Sequence, residues 1–237
     1  DLLIDNVAIR SAGNGVSLLR CRSVEVLHSS IDALRYQNGH PVGGGSAIEL
    51  DSHTLLGGSG ITEQIVVRKC YLASGEAAVQ VGSEAIGAFR NLRFEGLRIR
   101  RAGGAGIAIT PGEGSEVDGV RCADIQMEQT ASPLFIKVST GMGGAVSQRR
   151  GAIRNLSFAN ITATDCYSVF NQAEMPSVVW GKPDTPIERI EFKNVTVIAK
   201  GGHPVTDADG EPNESNERSP HKQGTIPAHA GYLRHVK

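Results

Sequence analysis

Two carboxylates stand two residues apart in the segment SAIELDS: Glu49 and Asp51. Alternate side chains of a strand share a face, so inward Ile48 and Leu50 leave these two acids outside together. Their separation along the strand is ~7 Å. That spacing suits a water-using pair, in which one acid protonates a leaving oxygen and the other activates water. In AAVQVGSE, inward Val79 and Val81 put Gln80 outward, with Glu84 just beyond. Strands stacked ~4.8 Å apart would merge these groups into one polar patch. Glu76 lies in the turn ahead of that segment and would act as a general acid if Glu84 raised its pKa. Lys137, outward in PLFIKV, would meet an acidic ligand or pair with Asp51 or Glu113. Trp180, beside a Gly-Lys-Pro turn, and Tyr232 offer flat surfaces for a sugar ring, with Trp180 the better groove wall. The same residues also fit an ordinary solvated strand face with plain turns.

Other chemistries find less support. His53, His203, His221, His229 and His235 fall in or near loops, and none has the spacing of metal ligands on a helix. Gly43 to Gly45 is not a phosphate loop, because no Lys-Ser/Thr and no helix follow. Cys21, Cys70, Cys122 and Cys166 form no Cys-x-x-Cys pair, so zinc is not expected. Their wide, similar spacing fits buried free thiols stacked inside a repeat. No cofactor is expected.

The elements that would position these groups are written in a recurring phrase. It reads LLIDNVAI from Leu2, VEVLHSSI from Val24, IVVRKCYL from Ile65 and LRFEGLRI from Leu92. It returns as VRCADIQM from Val120, LSFANITA from Leu156 and IEFKNVTV from Ile190. Apolar residues hold the first, third, sixth and eighth places, with Ser29 the one exception. The fifth place is often Asn, Asp or Gly: Asn6, Gly96, Asp124, Asn160, Asn194. Those residues accept left-handed backbone angles and make tight corners. Each copy therefore reads as two short half-buried strands meeting at a bend. The segments GVSLLR, SAIELDS, AAVQVGS, AGIAIT and PLFIKV supply a third strand per unit.

Three strands recurring every ~22 to 41 residues predict the coils of a parallel β-helix, about seven of them, in a single domain over residues 1–237. The antiparallel sandwich is the alternative. It needs two-residue turns between paired strands, and Asn14-Gly15 and Asn38-Gly39 do not fall between repeat halves. No helical segment supports a leucine-rich repeat. Residues 32–45, 141–150 and 201–224 read as long loops, which on such a fold collect at one edge and wall a groove. The Asn-x-Ser/Thr sites at Asn155, Asn160 and Asn194 fall at strand starts or corners and belong to the repeat; a fourth, at Asn213, lies in the longest loop. The chain opens at Asp1 inside a strand pattern, so further N-terminal coils are expected ahead of it.

Composition narrows the class. A net charge of −1 argues against a nucleic-acid partner, and no apolar run approaches the ~20 residues of a membrane helix. The 29 glycines and few aromatics fit many short strands and tight turns.

The C-terminal phrase GTIPAHAGYLRHVK (224–237), the preceding GGHPVTDADGEPNESNERSP, and the stretches GSEAIGAFRNLRFEGLRI (82–99) and GAGIAITPGEGSEVDGVRCADIQMEQTASPLFIK (104–137) resemble glycoside hydrolase family 28, the polygalacturonases and their bacterial relatives. The resemblance implies a right-handed, pectin-lyase-like solenoid that hydrolyses glycosidic bonds with inversion. It also implies a pectic or related plant cell-wall polysaccharide as partner, a monomer, and a secreted or periplasmic location. The sequence departs from the family's site motifs. The Asn-x-Asp position reads Ala12-Gly13-Asn14, the Asp-Asp position Gly45-Ser46, the histidine region Gly75-Glu76-Ala77 and the Arg-x-Lys clamp Ala108-Ile109-Thr110. Fold and function separate readily. Two expectations follow: a hydrolase working through Glu49, Asp51 and Glu76 with Gln80, Glu84, Lys137 and Trp180 on the substrate, or a carbohydrate-binding relative without catalysis. A calcium-assisted lyase would need clustered Asp ligands, which are absent.

Overall fold

A computed structural model describes residues 1–52, 60–82, 87–112, 114–139, 151–168, 170, 175, 177–183, 185–199, 220 and 231–237. The described part is all-β. Its strands are β1 (Leu2–Asp5), β2 (Ala8–Arg10), β3 (Val16–Leu19), β4 (Arg22–Leu27), β5 (Ser30–Gln37), β6 (His40–Gly44), β7 (Ile48–Asp51), β8 (Gly60–Arg68) and β9 (Tyr71–Ser74). They continue as β10 (Ala77–Val81), β11 (Gly87–Glu95), β12 (Arg98–Ile109), β13 (Glu116–Lys137), β14 (Ala152–Cys166), β15 (Ser177–Trp180), β16 (Ile187–Ala199) and β17 (Gly231–Arg234). No helix among the described residues is long and apolar enough to cross a membrane.

The pairings sort into three parallel ladders. The first runs β1, β4, β8, β11, then the opening parts of β13, β14 and β16. The second runs β2, β5, β9, then parts of β12, β13, β14 and β16. The third runs β3, β7, β10, the ends of β12 and β13, then β15 and β17. The repeat sets the register: Leu2, Val24, Ile65, Leu92, Val120, Leu156 and Ile190 stand opposite one another in turn. Like residues thus stack on like, and Phe158 lies on Phe192 with ring centroids 5.3 Å apart. Ser29, the odd polar member of the apolar places, is buried and satisfied. Its hydroxyl donates to Leu27 O (2.6 Å) and accepts from Val7 N (3.2 Å).

The fifth place of every phrase is left-handed, with φ between 47° at His28 and 63° at Gly96. Side-chain amides stitch that corner: Asn160 Nδ2 donates to Asp124 Oδ1 (2.9 Å), and Asn194 Nδ2 to Asn160 Oδ1 (3.0 Å). A second left-handed row stands just before each phrase from the second on, at Ser23, Gln64, Asn91, Gly119, Asn155 and Arg189. Upstream of that row the strands carry charges that alternate from rung to rung: Arg22, Glu63, Arg90, Asp118, Arg154 and Glu188. Lys237 continues the series. Its N–H donates to Ile187 O (2.8 Å) and its carbonyl accepts from Arg189 N (3.1 Å), which sets it opposite Glu188.

Two expectations meet different outcomes at the loops. Residues 32–45 are not a loop. The end of β5 pairs antiparallel with β6 around Asn38-Gly39, whose φ values of 51° and 79° are those of a two-residue type I′ turn. The Asn-Gly pair is therefore a hairpin signal after all, serving a projecting ribbon and not the repeat. Residues 141–150, and 201–224 apart from Pro220, lie outside the described residues. All four cysteines are free; Cys70, Cys122 and Cys166 are buried and Cys21 is partly so.

Candidate functional site

The third ladder gathers five of the seven residues singled out from sequence. Ser17, Glu49, Gln80, Ala108, Phe135, Val178 and Tyr232 form one outward row in register. Two residues further along each strand lies a second row with Leu19, Asp51, Lys137, Trp180 and Arg234 among its members. Adjacent rungs lie ~4.8 Å apart, so Glu49 and Gln80 are direct neighbours, while Asp51 and Lys137, three rungs apart, are ~14 Å apart at the backbone. Inward Ile48, Leu50, Val79 and Val81 are fully buried and fix this facing.

The face is polar at one end. Glu49 is half-buried, and its Oε2 accepts from Asn14 Nδ2 and from Ser17 Oγ (3.1 Å). Asp51 faces the same way but is buried at 8% exposure, and its Oδ1 accepts from Ser52 N (2.7 Å). The expected solvated pair is thus one half-open acid and one enclosed acid. Gln80 Nε2 donates to Thr110 Oγ1 (2.7 Å) and to Gly82 O, so it ties its own rung to the next.

At the other end the face turns apolar and closed. Phe135 is fully buried despite pointing outward, and it packs with Ala108, Val178 and Trp180, with Tyr232 against them. Trp180 is only 5% exposed, which corrects its expected place on an open groove wall. Its ring takes Lys137 Nζ at 4.9 Å and Arg234 Cζ at 5.5 Å, with the Tyr232 ring tilted beside it at 5.5 Å. Lys137, at 3% exposure, is also enclosed, and its ammonium lies over the indole face. Outward parity was readable from alternation, but it does not ensure solvent contact.

Glu76 is exposed at the corner that opens β10, away from both rows. Its N–H donates to Gly45 O (3.2 Å) and its carbonyl accepts from Gly104 N (2.9 Å), so the backbone there serves rung stacking. Glu84 and Glu113 lie outside the described residues. The residues that sequence reasoning missed are Asn14, Ser17, Thr110 and Arg234. The signal for the first two was present: aligning GVSLLR with SAIELDS sets Ser17 beside Glu49 and Asn14 beside Ser46. Among the described residues no group of three His, Cys, Asp or Glu side chains is placed to hold a metal ion.

Two other grooves lie on the outer faces. One, of ≈ 820 Å³, follows the first ladder past Gln64, Asn91, Arg93, Arg121 and Asn155. The other, of ≈ 660 Å³, follows the second past Asp32, Tyr71, Arg98, Arg100 and Glu128. In the second groove the acids are held by arginine: Glu128 Oε2 lies 3.5 Å from Arg100, and Asp32 Oδ2 lies 3.6 Å from Arg10. The first is lined by Asp1 and Glu25. No protein-family model matches the chain, and no curated protein matches it.

Proposed function

We propose that the three ladders are the faces of a right-handed parallel β-helix, and that the chain acts on polysaccharide along the outer face of the third. The observation that carries this reading is the alignment of Glu49, Asp51, Gln80, Lys137 and Trp180 on outward positions of one parallel ladder. The open end of that face, at Ser17, Glu49 and Gln80, is where a sugar chain would meet it. The resemblance to glycoside hydrolase family 28 supports hydrolysis of O-glycosidic bonds in a pectic or related cell-wall polymer, by a secreted or periplasmic protein. Glu49, the more open acid, is assigned to the attacking water, and Asp51 to the leaving oxygen.

A second reading, a carbohydrate-binding β-helix without catalysis, is favoured by the enclosure of Asp51 and its bond to Ser52 N. Reducing-sugar release and retention on immobilised polysaccharide, run on one panel of pectic and neutral polymers, separate the two. Release from any member supports hydrolysis. Retention without release supports the binding module, and neither outcome on any polymer removes both.

A further inference from the structure

Asn14 makes a fork across two rungs. Its Oδ1 accepts from Ser46 N (2.9 Å), and its Nδ2 donates to Glu49 Oε2 and to Ser17 Oγ (3.3 Å). The direction of that amide is set by chemistry. A backbone N–H can only donate, so the oxygen of Asn14 must face Ser46 and the NH₂ must face Glu49. Ser46 is itself buried and begins the turn into β7. Ser17 Oγ adds a second donor to the same Glu49 oxygen (3.1 Å). Both hydrogen bonds to Glu49 thus converge on Oε2, while Oε1 receives none from the described residues. Gly45 leaves space for the fork: a Cβ there would come within 2.3 Å of Asn14 Oδ1.

We infer that Asn14 is a positioning residue that aims Glu49. Its amide, locked by Ser46, holds Oε2 and turns Oε1 toward the outer face, where a water or a sugar hydroxyl would meet it. The inference rests on the assignment of that face to polysaccharide, and it adds a residue that acts through Glu49 and not on the reacting atoms.

Asn14→Ala and the isosteric Asn14→Asp test it, with kcat and KM measured on whichever polymer the wild type cleaves. Mis-aiming a reacting group costs on the order of ten- to a hundredfold. Asn14→Ala is therefore expected to lower kcat by about that factor with KM changed less than about twofold. Asn14→Asp sets a second carboxylate against Glu49 and is expected to be worse than Ala. A merely structural role would reverse that order, since Asp keeps the shape and the acceptor for Ser46 N. Unchanged kcat in Asn14→Ala, or Asp closer to wild type than Ala, overturns the inference. If the wild type cleaves nothing, the hydrolytic reading falls, and the side-chain NH₂ resonances of Asn14 decide the fork separately. A shifted, slowly exchanging proton that is lost in Glu49→Ala supports it, and resonances indifferent to Glu49→Ala overturn it.

Discussion

Arg154 Nε donates to Asp118 Oδ2 at 2.8 Å across the rung between β14 and β13, and Asn155 Nδ2 donates to the other oxygen, Oδ1, at 2.6 Å. The hydrogen bond from Asn155, followed by that from Arg154 and the arginine's charge, holds the Asp118 carboxyl below its ordinary value of 3.8. A carboxylate whose folded pKa is depressed stabilises the fold above its unfolded pKa, and that contribution is lost as pH falls through the lower folded value. Asp118→Asn is therefore expected to destabilise near neutral pH. Solvent screening limits the loss to ~0.5–1 kcal/mol. Denaturant melts should show the gap shrinking as pH falls below the unfolded value and gone below the folded one, and a gap that persists there would contradict the assignment.

The alternating row predicts a register effect. Arg90 stands between Glu63 and Asp118, and its Nη2 lies 2.6 Å from Glu116 Oε2. Arg90→Glu would place three acids on consecutive rungs. The expected result is a lower denaturation midpoint, by less than about 1 kcal/mol because these groups are partly exposed, with the loss shrinking as salt is added. Adding Glu63→Arg in the same chain should not recover it, because the new arginine would face Arg22 in place of its present ion pair. An equal loss at low and high salt would point to packing instead of charge.

The corner at Asn160 combines a left-handed backbone, φ 54°, with the amide bond to Asp124. A β-branched residue there carries a backbone cost of roughly 1–2 kcal/mol. Asn160→Val should lower the melting temperature clearly, while Asn160→Gly should cost less because glycine tolerates the angle. Equal melting of the two variants would mean that the amide bond, and not the backbone angle, dominates.

Thiol chemistry reports on the stacked core. Burial pushes the Cys122 thiol well above its ordinary value and raises that of Cys70, and Cys166 is buried. Cys21 is partly exposed, with its thiol near Leu19 O (3.4 Å). A thiol reagent is expected to modify Cys21 first in the native protein and the other three only on unfolding. Rapid native labelling of Cys122 would contradict the stacked interior.

Much of this arrangement was legible in the residues. The apolar first, third, sixth and eighth places gave the inward faces, and the Asn, Asp and Gly at the fifth gave one corner. Those two signals suffice to pair the strands of the first two ladders, from β1 and β2 to β16. His28 and Lys69 hold the same left-handed corner without being turn formers, because their neighbours on the ladder fix the geometry. The second corner was overlooked, although Asn91, Gly119 and Asn155 mark it just ahead of the phrase. The charged row upstream reads as scattered Arg, Glu and Asp until the register is known. At the site, alternation gave the direction of Asp51, Lys137 and Trp180 but not their burial, which depends on what lies over the face and not on the strand itself. Asn14 escaped for a related reason: its role comes from a neighbouring rung 35 residues on, at Glu49.

The central claim, that the outer face of the third ladder cleaves a polysaccharide through Glu49 and Asp51, is tested most directly by reducing-sugar release. Wild type, Glu49→Gln and Asp51→Asn would be compared on the polymer that wild type cleaves fastest. Loss of one of a pair of acting acids is expected to lower the rate by on the order of a hundredfold or more in each variant, with the fold intact by circular dichroism. Wild-type rates in both variants would place the chemistry elsewhere and contradict the account.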